Sequence, residues 1–259
     1  MTSAPLDAIV AHLDAVLRTH DVPDYPGALN GLQVQHVGPV RRVAVAVDAS
    51  IRTIAGTIDA GANLLIVHHG LFWNGVQPMR GRVYERMRHL LLNDIAVYSA
   101  HLPLDVHPTL GNNALLARAL GLDPSEGFAR FQSIAVGVMG NADVATSALA
   151  ATAAEIARAE GGSLVSVGVS PGRRTRRWAI CTGAGASTDT LREAADAGVD
   201  TLIVGEGPHH TAVEADELGL AVLYAGHYAT ETFGVRALGE EIEARFELPW
   251  TFIAGPTGL

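Results

Sequence analysis

The chain has 259 residues, 48% of them hydrophobic and 17% charged. That is enough apolar material for one large core or two smaller ones, and too much for a disordered chain. The net charge of −9 argues against a nucleic-acid-binding protein, and the single cysteine, Cys181, excludes an internal disulfide and fits a reducing compartment.

Asp7, His12, Asp14 and Arg18 punctuate the N-terminal stretch at helical spacing. It reads as neither a signal peptide nor a membrane span, and a cytoplasmic location is expected. Residues 5–19 form an amphipathic helix by this reading, and Asn30-Gly31-Leu32-Gln33-Val34 follows a turn at Pro26-Gly27. A β-branched strand is expected over 43–47, a helix over 51–60, and a buried strand through Leu64-Leu65-Ile66-Val67 into His68-His69-Gly70. A loop rich in Gly, Trp and Pro runs from Leu71 to Gly81, followed by a helix over 83–93 and a strand over 95–100. His101-Leu102-Pro103-Leu104-Asp105 leaves that strand as a loop, and a helix over 113–120 stops at Gly121. From about Phe128 a second series begins: strands over 133–138, 164–169, 178–182, 201–204, 220–225 and 250–253. Its helices are expected over 144–160, 189–197, after Thr211 and from about Thr230.

Aligning Gly61 with Gly198, an offset of 137 residues, gives an ungapped match from Val43/Ile180 to Gly70/Gly207. It pairs Ala49-Ser50 with Ala186-Ser187 and Leu65-Ile66-Val67 with Leu202-Ile203-Val204. Each copy is a strand, a helix and a second strand, the unit of a parallel sheet. At a different offset, 126, Val97-Tyr98-Ser99-Ala100-His101 parallels Leu223-Tyr224-Ala225-Gly226-His227. The fold class expected is therefore α/β, two related domains from an internal duplication with the metal site between them. Residues 1–125 with 226–259 form the first domain, carrying most of the metal ligands, and residues 126–225 form the second.

The candidate chemistry sits at strand ends, where α/β proteins place ligands. Alone, His68-His69 reads first as a polar strand end with two solvated imidazoles; side chains sent to opposite faces also suit one ligand to each of two metals. His227 and Glu231 share a face if a helix begins there, spaced to hold one ion, and Asp105 adds a loop carboxylate. This N/O set without sulfur suits Zn, Fe, Mn or Co, and five ligands suit two ions sharing a carboxylate. His101, close to Asp105, is expected just outside the ligands. His209 and His210 read as solvated or as edging a substrate pocket, and His12, His20, His36 and His89 as surface residues. Cys181 reads as a core thiol. The basic run Arg173-Arg174-Thr175-Arg176-Arg177 reads as the start of a strand or a partner contact. Cys181-Thr182-Gly183-Ala184-Gly185-Ala186-Ser187 lacks a dinucleotide fingerprint; its glycines permit a turn, and anion binding there is a weaker reading.

Together, Asn30 to Val34, His68-His69-Gly70, His101 to Asp105 with Gly111-Asn112-Asn113, and Gly226-His227 with Thr230-Glu231 resemble the GTP cyclohydrolase 1 type 2-like family of dinuclear-metal proteins. The likeness spans about residues 25 to 253. It implies two similar α/β domains, two divalent metal ions held by His68, His69, Asp105, His227 and Glu231, and a homohexameric ring. The resemblance further implies a metal-dependent hydrolase acting on a nucleotide such as GTP; in such a reaction His101 or Glu206 is expected to handle protons. A metal-binding or scaffold protein without catalysis is the alternative.

Overall fold

The computed structural model describes residues 2–259. Up to Asp105 its elements are β1 (Ala4–Pro5), α1 (Leu6–Leu17), β2 (Gly31–Val34), β3 (Pro39–Val40), β4 (Val43–Asp48), α2 (Ile51–Asp59), β5 (Leu64–His69), α3 (Arg82–Leu92), β6 (Ala96–Ser99) and α4 (Leu102–Asp105). There follow α5 (Asn112–Ala119), β7 (Glu126–Phe131), β8 (Ile134–Ala145), α6 (Thr146–Ala159), β9 (Val165–Val167), β10 (Arg174–Cys181), α7 (Thr188–Asp196), β11 (Thr201–Val204), α8 (His209–Glu217), β12 (Ala221–Tyr224), α9 (His227–Phe246) and β13 (Trp250–Phe252).

The chain is α/β and divides into two compact units, Met1–Leu104 with Gly234–Gly255, and Asp105–Phe233 with Pro256–Leu259. These boundaries replace the expected 1–125 with 226–259 and 126–225. The reason is packing: Leu116, Ala117, Leu120 and Leu122 of the α5 region, and Phe233 of α9, join the core around Trp178 and Ile180. Asp105, His227 and Glu231 therefore belong to the second unit.

The first unit is built on a five-stranded sheet ordered β13-β4-β5-β6-β2, parallel except for β2, which runs antiparallel to β6. Ala44, Ala46, Leu65, Val67 and Val97 pack one face against Ile54 of α2 and Leu90 of α3. The alternate residues Val45, Ile66 and Tyr98 are also fully buried, so both faces are covered, as a parallel sheet requires. The Tyr98 hydroxyl donates to Asp14 Oδ1 of α1 at 2.8 Å, and His12 of α1 meets Glu241 of α9 at 2.8 Å. His12 is thus a packed, paired residue rather than a surface one.

The second unit has a six-stranded sheet, β7-β8-β10-β11-β12-β9, with a parallel core at β10-β11-β12 and antiparallel edges. Leu191 and Ala194 of α7 and Ala215 of α8 cover one face. Leu116 and Ala117 of α5 and Leu149 and Ala153 of α6 cover the other. The strand β7 has no counterpart in the sequence reading. Its pattern of burial is irregular, so period-2 alternation does not mark it. Arg173 to Arg177 are taken up internally: Arg173 donates to the carbonyls of Asp200 and Gly219, Arg174 pairs with Asp143 and Arg177 with Glu126.

The repeat is visible bond by bond. Ser50 and Ser187 each cap their helix by accepting the N–H of the threonine three residues on, Thr53 or Thr190, at 3.2 Å. Each threonine hydroxyl accepts the serine N–H in return, a reciprocal capping box. Ala49 N–H bonds the His69 carbonyl and Ala186 N–H the Glu206 carbonyl, so Glu206 occupies the place of His69 in the second copy. The third strand needs a correction. Leu64 pairs with Ala96 and Thr201 with Ala221, an offset of 125 rather than 126. His101 is thus matched by Gly226, not His227, and Tyr98 by Leu223. The shared tyrosine suggested the wrong register, and a slip of one residue turns a side chain to the other face.

Candidate metal centre

In the first unit, β5 and β6 end side by side, which brings His68, His69 and His101 together with all three ligating atoms within 4.8 Å of one another. The rings of His68 and His69 lie 4.7 Å apart rather than on opposite faces. They hold the last two positions of β5, where strand gives way to turn and regular alternation no longer separates them. Each ring is anchored at Nδ1. His68 Nδ1 donates to the Ala100 carbonyl at 2.8 Å, His69 Nδ1 meets Asp48 Oδ1 at 2.9 Å, and His101 Nδ1 meets Asp24 Oδ1 at 2.8 Å. These oxygens accept only, so in the neutral rings the proton stays on Nδ1 and the lone pair on Nε2.

The anchors are themselves held. Asp24 also accepts Asn30 Nδ2 and the N–H groups of Tyr25 and Leu102, all within 2.9 Å. Burial works against this carboxylate, but the bond and charge of His101, with the other donors, more than offset it and hold its carboxyl below the usual range. Asn30 Oδ1 accepts the His101 N–H at 2.7 Å. Gln33 Oε1 accepts the Leu71 N–H at 2.7 Å while its Nε2 donates to Ala28 and Leu29. Gly70 is required beside it, because a Cβ there would collide with the Gln33 amide.

In the second unit, α9 begins at His227 rather than near Thr230, so His227 and Glu231 lie one turn apart on the helix. His227 Nε2 is 3.1 Å from Glu231 Oε2, and its Nδ1 is 2.7 Å from Glu206 Oε1. Burial alone would lower the His227 pKa, yet the hydrogen bonds and charges of Glu231 and then Glu206 raise it to about 9. Glu206, expected to carry protons, meets His227 at Nδ1 and so also orients its ring. Asp105 is buried, and its Oδ1 accepts Asn112 Nδ2 at 2.8 Å and Thr182 Oγ1 at 3.4 Å. Asn113 braces this group, donating to the Asp105 and Val136 carbonyls and accepting the Thr182 N–H.

The Gly-rich turn after Cys181 serves the same residues. Thr182, Gly183 and Ala186 N–H groups go to Asn113, Thr230 and Glu206, so these backbone donors are already engaged within the fold. Gly183 (φ +62°) abuts Glu231, and a side chain there would strike the Glu231 carboxylate. Cys181 is a core thiol: burial, then the charges of Asp105, Glu193 and Glu231, push it up to about 12. His209 and His210 are exposed at the start of α8.

The donors therefore fit divalent ions: imidazole nitrogens with fixed tautomers and oriented carboxylates, and no thiolate. The sequence does not single out Asp24 or Asp48, and marks Asn112, Asn113 and Thr182 only as parts of motifs, without the roles they take here. Asp48 was within reach, since it ends the strand beside the histidine strand.

Two α/β units built on one repeat, with imidazoles and carboxylates gathered at strand ends, define an α/β protein carrying groups able to hold divalent metal. The chain belongs to the Duf34/NIF3 (NGG1p interacting factor 3) family, whose profile matches residues 4–257. It is 42% identical to a GTP cyclohydrolase 1 type 2 homolog of Deinococcus radiodurans, covering 98% of this chain and 94% of that one. A homolog of the same description from Halobacterium salinarum is 43% identical, covering 94% and 95%. Among solved structures, TTHA1606 of Thermus thermophilus superposes with a TM-score of 0.85 at 37% identity, covering 98% of this chain and 99% of that one. The protein ybgI, described as of unknown function, gives 0.87 at 35% identity over the whole of both chains.

Proposed function

We propose that the protein holds two divalent metal ions through His68, His69, Asp105, His227 and Glu231, and hydrolyses a nucleotide such as GTP. The observation that carries this reading is the anchoring of His68, His69, His101 and His227, each tied at Nδ1 to an oxygen that fixes its tautomer. Side chains held at that atom are the ones metal sites use, and a solvated histidine has no need of the arrangement. Divalent ions, when bound, would supply Lewis acidity and lower the pKa of bound water toward neutral. Asp105, oriented by Asn112 and Thr182, would offer its carboxylate to the ions. His101, with its Nδ1 proton held by Asp24, gives or takes a proton at Nε2. The names of the curated relatives support the nucleotide, and the resemblance to ring-forming proteins supports a closed homohexamer.

The test is turnover. Metal-loaded protein is incubated with nucleoside triphosphates and the products separated, beside an Asp105→Ala control of matched folding. Turnover that disappears with Asp105→Ala supports the hydrolase. Absence of turnover with every nucleotide, in folded and loaded protein, favours a metal-binding scaffold instead.

A further inference from the structure

The turn at Pro26-Gly27, the loop after β5 and the start of α3 enclose a cavity of about 570 Å3 within the first unit. Its walls are apolar, with Leu29, Phe72, Trp73, Met79 and Met87, and they include one cation, Arg86. Such a volume, with many apolar walls and few polar groups, matches small-molecule sites. Trp73 is a wall shared with the imidazoles: its ring stands edge-on to His101 at 4.7 Å and to His69 at 5.8 Å. Gly27 lets the opposite turn close on it, since a Cβ there would lie 2.6 Å from the Trp73 carbonyl oxygen.

Arg86 makes no ion pair among the described residues. Its guanidinium donates to the Ala49 carbonyl at 3.3 Å, and Ala49 N–H in turn bonds the His69 carbonyl. One such bond leaves most of the guanidinium fork available, and that fork matches a carboxylate or phosphate. An aromatic wall and a cation in one cavity call for a ligand having both a flat ring and a negative charge.

We propose that this cavity is a subsite for the ring of a small aromatic or heteroaromatic anion, with Arg86 taking its charge and Trp73 standing between ring and imidazoles. The proposal rests on the metal reading only in setting the ligand beside a reactive centre; binding itself needs no ion.

The test is calorimetry on the full chain, zinc-loaded and chelated, with metal content measured in the same samples. The probes are 2-naphthoate, guanosine 5′-monophosphate and the uncharged 2-naphthamide. At least one anion binds the wild type in both metal states, and Arg86→Gln weakens it about tenfold or more while sparing 2-naphthamide, as loss of a charged hydrogen bond requires. Trp73→Leu weakens all three. Tighter binding of the nucleotide identifies a nucleotide ligand, and tighter binding of naphthoate a simpler aromatic acid. The proposal is overturned if neither anion binds folded wild type, or if Arg86→Gln leaves the affinity unchanged. It is also overturned if chelation abolishes binding, which would put the anion on the metal. Should Trp73→Leu not fold, Arg86→Gln decides alone. A pocket that binds in protein unable to take up metal sinks the metal reading and not this one.

Discussion

Raising the pH titrates the bridge between Glu206, His227 and Glu231; metal-free protein should lose stability while metal-loaded protein holds level. Without metal, the His227 proton at Nε2 faces Glu231 while the one at Nδ1 faces Glu206, and the pKa stands at about 9 against an ordinary 6.5. At 1.36 kcal/mol per unit this is about 3 kcal/mol of stability. The group is about a quarter exposed, so solvent screening trims rather than removes it. Because the folded value lies above the unfolded one, the contribution is complete below pH 6.5 and is lost as pH rises through 9. A loss of that size lowers the melting temperature of a chain this long by roughly 6–12 °C. A metal ion between His227 and Glu231 must displace the Nε2 proton, so apparent affinity should rise about tenfold per pH unit from 7 to 9. The gap between loaded and chelated melting temperatures therefore widens over the same range. Glu206→Gln keeps an oxygen for Nδ1 but removes the charge, and should flatten both trends. Scanning fluorimetry from pH 6 to 9.5, with chelator or zinc, reads all four curves. The reasoning is refuted if chelated wild type melts at one temperature throughout, or if Glu206→Gln keeps the wild-type slope.

Asp24→Asn sets an amide against carboxylate donors, and should cost about 1–3 kcal/mol in denaturant unfolding. Its acid dependence should also change: the lowered Asp24 pKa contributes stability above pH 3.8 that is lost as pH falls through the folded value, so the variant should have a shallower acid limb. Cys181, buried and pushed up to about 12, should react with Ellman's reagent slowly in native protein at pH 8 and rapidly in denaturant. Light scattering at micromolar concentration should give the mass of a closed oligomer, with six chains expected; a monomer mass would overturn the assembly.

The sequence carried what periodicity and repetition carry. The strands around His68-His69 and Thr201–Val204, the helices after Ser50 and Ser187, and the duplication were legible because apolar runs and helical periodicity are local signals and recur at a fixed offset. The same locality explains the misses. Asp24 bonds His101 across 77 positions and Asp48 bonds His69 across 21, and no spacing rule joins them. Val97 to His101 could be matched with Leu223 to His227 on shared residues, but ladder hydrogen bonds set the register one residue away. The unit boundaries depend on which core α5 and the start of α9 enter, which side-chain packing decides.

The most direct measurement is metal content per chain by elemental analysis, in wild type and in His68→Ala and Glu231→Ala, after reloading with a single divalent metal. The shared-carboxylate arrangement requires about two ions in the wild type and fewer in each variant. Wild-type protein that holds one ion or none, or variants that retain both, would contradict the account.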